Sequence, residues 1–370
     1  MIRALLFIVC SANLVIAQDT SLAASLKTLN SVGAGGRNHA DANKVWKQVS
    51  RAGTESIPLI LASIDDTKPL AANWIRSVVD QIAERAIRNG RSLPARELEK
   101  IVFDDQYSPR ARRLAYEWLV KVDAKAEQRI IPNMLNDDSI EMRRDAVALV
   151  ISQAESAESL AKSKDQYRVA LTSARDQDQI DLAYDKLVEL GESFDLSSHF
   201  GFITNWHLIG PFDNTNKGGF DVAYPPEREI SLSNEYQGKK GKVTWLAHRS
   251  DDKYGMVDLN TAIGKNMGAA GYAYTEFVSP GEQEVDLRLG CICAAKIWLN
   301  GKQLMEHEVY HAGTKIDQYI ARAKLRAGTN KILVKICQNE QTDSWAQDWQ
   351  FQLRVCDQVG TAILSQDRVR

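Results

Sequence analysis

His307-Glu308-Val309-Tyr310-His311 has the H-E-x-x-H spacing. On a helix that spacing places two imidazoles on one face to hold a zinc ion, with the glutamate beside the metal-bound water it activates. Asp317, six residues past His311, stands where a third ligand would fall. The chemistry to be weighed is therefore metal-assisted hydrolysis by His307, Glu308 and His311, with Asp317 as a further ligand. The surroundings argue against it. Thr314 occupies the position where an extended zinc-protease motif needs glycine, and no methionine follows Met305. Asn300-Gly301, just upstream, is a type I′ hairpin signal, and a strand-rich region leaves little room for a helix.

Other reactive groupings are thinner. Glu227, Glu229 and Glu235 lie close enough in sequence to supply a carboxylate pair for glycoside hydrolysis. The chain has no G-x-S-x-G, no G-x-x-x-x-G-K-[ST] and no G-x-G-x-x-G. Beyond Cys10, four cysteines remain: Cys291, Cys293, Cys337 and Cys356. Cys337 and Cys356 each lie in an apolar, strand-like run. Pairing of those strands would bring them into a disulfide; buried free thiols are the alternative. Cys291-x-Cys293 puts two thiols on one face of a strand, and its pairing stays open.

The elements that must position these groups fall into two kinds. Residues 1–17, MIRALLFIVCSANLVIA, have a positive start, an apolar stretch and small residues before Gln18. This is the pattern of a cleaved export leader, so the expectation is export to periplasm or medium, with no membrane span afterwards. Basic and acidic residues number 46 and 48, a net charge of −2, which gives no electrostatic footprint for nucleic acid. Six of the 22 glycines precede residue 200 and 16 follow it. The first half reads as helices and the second as short strands joined by tight turns.

Residues 18–42 read as a short helix and linker. From about residue 43 the apolar period becomes 3.6, as in Ile75, Val78, Val79 and Ile82. Ser108-Pro-Arg-Ala-Arg-Arg-Leu-Ala115 aligns without gaps, 31 residues on, with Ser139-Ile-Glu-Met-Arg-Arg-Asp-Ala146. Each copy follows an aspartate pair, Asp104-Asp105 and Asp137-Asp138, and a looser copy begins at Asp65-Asp66. Serine and aspartate suit helix N-caps, and the arginines one turn in would tie a repeat to the aspartate turn of its neighbour. The period resembles HEAT-like repeats, which implies an N-terminal α-solenoid over residues 43–195 and a surface for a protein partner.

Candidate strands after residue 200 are 203–209, 242–247, 273–278, 284–289, 295–299, 331–338 and 349–355. Lys296-Ile-Trp-Leu-Asn-Gly-Lys302 followed by Leu325-Arg-Ala-Gly-Thr-Asn-Lys-Ile-Leu-Val-Lys335 resembles the galactose-binding-like jelly roll. Trp206-His-Leu-Ile-Gly-Pro-Phe-Asp-Asn214, with Tyr224-Pro-Pro-Glu227, resembles the start of that module in secreted bacterial multidomain proteins of planctomycete type. The resemblance implies an antiparallel β-sandwich over residues 200–362, leaving 363–370 as a tail. It also implies that loop aromatics meet a carbohydrate. Trp345, Tyr310, His311, Asp213, Asn214 and Asp348 are the candidate ligand-binding residues, while Trp206, Trp245 and Trp298 read as core. No cofactor is required. Asp213, Asp343 and Asp348 are the carboxylates that a structural Ca²⁺, frequent in such modules, would use.

The whole reads as an α + β multidomain protein, exported and non-catalytic. Its β module binds a carbohydrate or envelope glycan, and its helices form a protein-docking scaffold. A purely structural or protein-interaction role without sugar binding is the alternative, and the zinc hydrolase comes last.

Overall fold

The computed structural model describes residues 21–368, so the leader expected at 1–17 lies outside the described residues. Contacts divide the chain into two units, one ending at Ala183 and one beginning at Tyr184. No helix among the described residues is long and apolar enough to cross a membrane.

The described part of the first unit is helical, with helices that include Pro69–Arg88, Pro109–Val122 and Ile140–Glu155. Pro69 and Pro109 open their helices, where the missing N–H costs nothing. Ile75, Val78, Val79 and Ile82 enter one core with Leu114, Ala115, Trp118 and Met142. The Ser108 and Ser139 hydroxyls accept from Ala111 N–H and Met142 N–H as N-caps. The arginine pairs act between helices. Arg112 donates to the Val102 carbonyl at 2.8 Å and to the Asp137 carboxylate, and that ion pair is buried. Arg113 reaches Asp145, and Arg144 reaches Asp176 and Asp178.

The second unit holds twelve strands. They are β1 Asn205–Asp213, β2 Glu235–Gly238, β3 Gly241–Thr244, β4 Leu246–Arg249, β5 Val257–Asp258, β6 Ala269–Ser279, β7 Gln283–Cys291, β8 Ala294–Leu299, β9 Lys302–His307, β10 Tyr319–Leu325, β11 Gly328–Gln338 and β12 Gln350–Cys356. They form a six-stranded sheet in the order β4-β1-β6-β11-β8-β9, a four-stranded sheet β10-β7-β12-β5, and the hairpin β2-β3. All pairings are antiparallel. The two larger sheets face each other across a shared core of Trp206, Leu208, Leu287, Ile297, Ile336 and Phe351. A second apolar cluster, with Phe212, Tyr272, Trp298 and Leu333, covers the outer face of the six-stranded sheet. Burial on both faces explains why β8 is apolar almost throughout instead of alternating. Asn300 and Gly301, at φ 52° and 81°, make the expected turn between β8 and β9.

Three expectations change. The single strand expected at 242–247 is two, β3 and β4, in different sheets with Trp245 between them. β10, with its alternating burial, lies outside the candidate strands. The disulfide between Cys337 and Cys356 does not form, and the four cysteines of the second unit are free and buried. β11 and β12 belong to opposite sheets. Ile336 and Val355 point into the shared core, so the adjacent Cys337 and Cys356 point out of opposite faces. Sheets stacked about 10 Å apart leave no way to bring two such cysteines within the ~7 Å Cα limit of a disulfide.

Burial pushes the Cys337 thiol up to about 12 and the Cys356 thiol up to about 11, which leaves little thiolate to react. We expect all four to resist alkylation in the native protein and to label fully on unfolding without reductant. A pair that labels only after reduction, seen by mass mapping, would contradict the structure.

Candidate functional site

Three loops meet at one end of the six-stranded sheet: 214–218 after β1, 308–318 between β9 and β10, and 339–349 between β11 and β12. Asn214 is buried at their junction. Its amide donates to the Gln338 carbonyl at 3.0 Å and to the Tyr310 hydroxyl at 3.3 Å. Lys217 lies 4.9 Å from the centre of the Tyr310 ring. His311, held at φ 62°, sets Nε2 3.1 Å from Asn339 Oδ1. Its ring meets Trp345 edge-on, with centroids 5.4 Å apart. Trp345 is 60% exposed, whereas Trp206, Trp298 and Trp349 are buried. Trp245 is half-buried against the outer cluster.

Trp345, His311, Tyr310 and Asn214 therefore form one continuous chain of contacts. Asp213 sits beside them but is engaged elsewhere. The Thr215 hydroxyl, aided by Lys239, holds its carboxyl below the usual carboxylate range. Asp348 contributes its backbone: its carbonyl accepts from Gln338 Nε2 at 3.0 Å and from the Cys293 thiol.

The H-E-x-x-H segment is not a helix. His307 ends β9, in register with Ala295 of β8, and its ring stacks on Tyr319 with centroids 4.1 Å apart. His311 belongs to the Asn339–Trp345 group. Asp317 lies between two arginines: Arg288 Nη1 donates to it at 2.8 Å and Arg354 Nε at 2.6 Å. Hairpin register, not helical spacing, fixes these side chains, and His307, His311 and Asp317 each have separate partners. Among the described residues no group of three or more His, Cys, Asp or Glu is placed to hold a metal ion, Asp213, Asp343 and Asp348 included.

The three glutamates also separate. Glu227, on the short helix Pro225–Arg228, accepts from Lys335 Nζ at 2.9 Å and from the Tyr272 hydroxyl. Lys335 is fully buried and donates also to the Phe220 and Val222 carbonyls, each at 2.8 Å. Burial, with the Glu227 carboxylate next, pushes the Tyr272 phenol upward, so it stays protonated and donates. Glu235 pairs with Lys242 on the surface, and Glu229 is exposed. Glu227 is thus an anchor for the Tyr-Pro-Pro-Glu segment.

Sequence reasoning missed a cavity of ≈ 560 Å³ at the β4-β1-β6 side of the six-stranded sheet, lined in part by His207, Arg249, Tyr274, Glu276 and Arg368. Its residues come from four separate stretches, and only strand register brings them together. The alternation of β1 was the one available signal.

No protein-family model matches the chain, and no curated protein matches it significantly. Among solved structures it is similar to an anti-sigma factor domain-containing protein from Clostridium clariflavum, at 9% identity and TM-score 0.27, over 44% of this chain and 45% of that one. It is similar to a β-glucuronidase of an uncultured Clostridium sp., at 14% identity and TM-score 0.27, over 42% of this chain and 29% of that one. A family 35 carbohydrate-binding module from Clostridium thermocellum aligns at 16% identity and TM-score 0.18, over 24% of this chain and 71% of the module. The chain spans less than half the length of the first two. Likenesses this distant assign it no activity.

Two outcomes are expected. Glu227→Ala leaves the Lys335 ammonium buried without its counter-charge, so denaturant unfolding should show a loss of about 3 kcal/mol; an unchanged midpoint would refute the anchoring role. Burial alone would raise the Asp317 carboxyl, but Arg354 and Arg288 outweigh it and hold it below its ordinary value. A depressed carboxyl stabilises fully above its unfolded value, about 3.9, and loses that contribution as pH falls through the folded value. The melting-temperature gap between wild type and Asp317→Asn should therefore be constant near neutrality and narrow below about pH 4. A gap independent of pH would count against it.

Proposed function

We propose that this is a non-catalytic glycan-binding protein whose second unit meets carbohydrate through the Trp345 rim. In this reading the two facing sheets are a galactose-binding-like jelly roll. The helical unit is a HEAT-like α-solenoid that docks a protein partner, and the protein acts outside the cytoplasm. The observation that carries the reading is Trp345 itself, an indole left 60% exposed with its plane nearly perpendicular to the His311 ring beside it. An apolar sugar face stacks on such a ring, and nearby polar groups select the hydroxyls. Gln341, Asp343 and Asp348 are among the polar groups of the same loop, and Lys217 and Tyr310 lie on the other side of His311. A ring already held in place loses little conformational freedom on binding.

The test is retention of full-length protein on a panel of insoluble polysaccharides that includes peptidoglycan. Wild type should be retained. Trp345→Ala, at unchanged melting temperature, should bind about tenfold more weakly, the equivalent of ~1.4 kcal/mol. Equal retention of both proteins would place the contact elsewhere. Retention of neither would favour a protein-interaction role.

A further inference from the structure

The cavity beside β4, β1 and β6 is built by register. Asn205 of β1 pairs with Arg249 of β4, and His207 pairs with Tyr274 of β6. Two residues along the antiparallel ladder, Asn205 comes opposite Glu276. Arg249, Asn205 and Glu276 therefore form one polar row across three strands, with His207 and Tyr274 forming an aromatic row beside it. The fourth wall is the segment set aside in sequence as a tail. Gln366 N–H donates to the Val278 carbonyl, Val278 N–H donates to the Ser365 hydroxyl, and Arg368 donates to the Phe202 carbonyl at 2.8 Å. Ile363 and Leu364 of that segment, with Phe277, supply apolar lining.

The charges in this cavity are not matched to one another. Arg249 makes no hydrogen bond or ion pair among the described residues. Arg368 bonds only neutral acceptors, the Phe202 carbonyl and the Ser197 hydroxyl. Burial lowers Arg368 from its ordinary value; Asp195 opposes this, and the neighbouring Arg249 lowers it further. Two guanidiniums thus line one cavity and repel each other, and neither is hydrogen-bonded to a carboxylate among the described residues. At the far end of the polar row from Arg249, the Glu276 carboxylate accepts from the Tyr274 hydroxyl at 2.6 Å and has capacity for more donors. Asp367 is turned onto Ser365.

We propose that this cavity binds a hydroxylated, ring-sized carboxylate, a uronic acid, with Arg249 and Arg368 holding its carboxylate. The ring lies against Tyr274 and His207, and Glu276 with Asn205 accepts from its hydroxyls. The guanidinium fork suits a planar carboxylate. Glu276 repels a second carboxylate and so sets one orientation. A volume of ≈ 560 Å³ takes one or two sugar rings. The site is separate from the Trp345 rim and stands whether or not the rim binds glycan.

The experiment titrates full-length protein with D-glucuronate and D-galacturonate, with D-glucose and benzoate as controls, by calorimetry or ligand-observed NMR. At least one uronate should bind and weaken as salt is raised. Arg249→Gln, a change at an exposed side chain, should weaken it at least tenfold with the melting temperature unchanged. Glu276→Gln should narrow the preference for uronate over benzoate. Trp345→Ala should leave uronate affinity unchanged, which separates this site from the rim. The proposal is overturned if neither uronate binds up to about 10 mM, if glucose binds equally well, or if Arg249→Gln has no effect. Binding of benzoate as tight as that of the uronates would overturn the hydroxyl-reading part.

Discussion

A fully buried ammonium organises the outer face of the six-stranded sheet. Lys335 projects from β11, the third strand in from one edge, into the cluster around Tyr272 and Phe212. Taking that charge out of water costs several kcal/mol unless opposite charge and hydrogen bonds replace the lost solvation. Three acceptors do so: Glu227 and the Phe220 and Val222 carbonyls. Because all three lie between β1 and β2, the lysine fixes how that connection crosses the sheet. Tyr224 then stacks on Phe212 at 4.9 Å. The same connection brings Leu232 to the wall of the cavity.

The four-stranded sheet has a counterpart on its own outer face. Arg288 and Arg354 stand on β7 and β12 and share Asp317, while Asp286 pairs with Arg288. Their remaining donors go to backbone carbonyls: Phe200 and Gly360 from Arg354, Asp357 and Gln358 from Arg288. Two arginines and two carboxylates balance in charge, and the carbonyls belong to segments with little regular structure. Apolar packing fills the space between the two sheets, while buried charge on each outside face fixes the irregular segments. Such segments bury too little apolar surface to be held by the hydrophobic effect alone.

What the sequence revealed follows the same division. The Asn300-Gly301 turn was legible because both residues occupy positive φ, which few others tolerate. The Ser108 and Ser139 caps were legible because capping is a local interaction. The rim was legible because a tryptophan among amides and carboxylates, in a stretch without alternation, has no strand to enter. The meaning of Lys335 and Asp317 was hidden. A lysine in a β pattern reads as solvent-facing, and the sequence does not reveal that a connection folds over it. Asp317 reads as a metal ligand by spacing alone, and its two arginines lie 29 and 37 residues away. The split between β3 and β4 was hidden because a change of sheet leaves no mark on apolar periodicity. Long-range register was the missing quantity in each case.

The distribution of satisfied charge also locates the surfaces open to other molecules. Inside the second unit the buried cations Lys335, Arg288 and Arg354 each face a carboxylate already bound to them. Lys296, mostly buried, meets Asp221 and Glu306. Groups committed in this way have no spare capacity, and disturbing them costs stability first. In the readings proposed above, two places keep capacity for a ligand. One is the rim, where Trp345 is mostly exposed beside His311. The other is the cavity, where among the described residues Arg249 has no hydrogen-bond partner and Arg368 bonds only neutral acceptors. Both sit on backbone held by hydrogen bonds, the rim by the buried amides of Asn214 and Gln338 and the cavity by the strand ladder itself. Binding at either therefore draws on groups whose positions are already fixed, the condition under which a few polar contacts and one ring face give useful affinity.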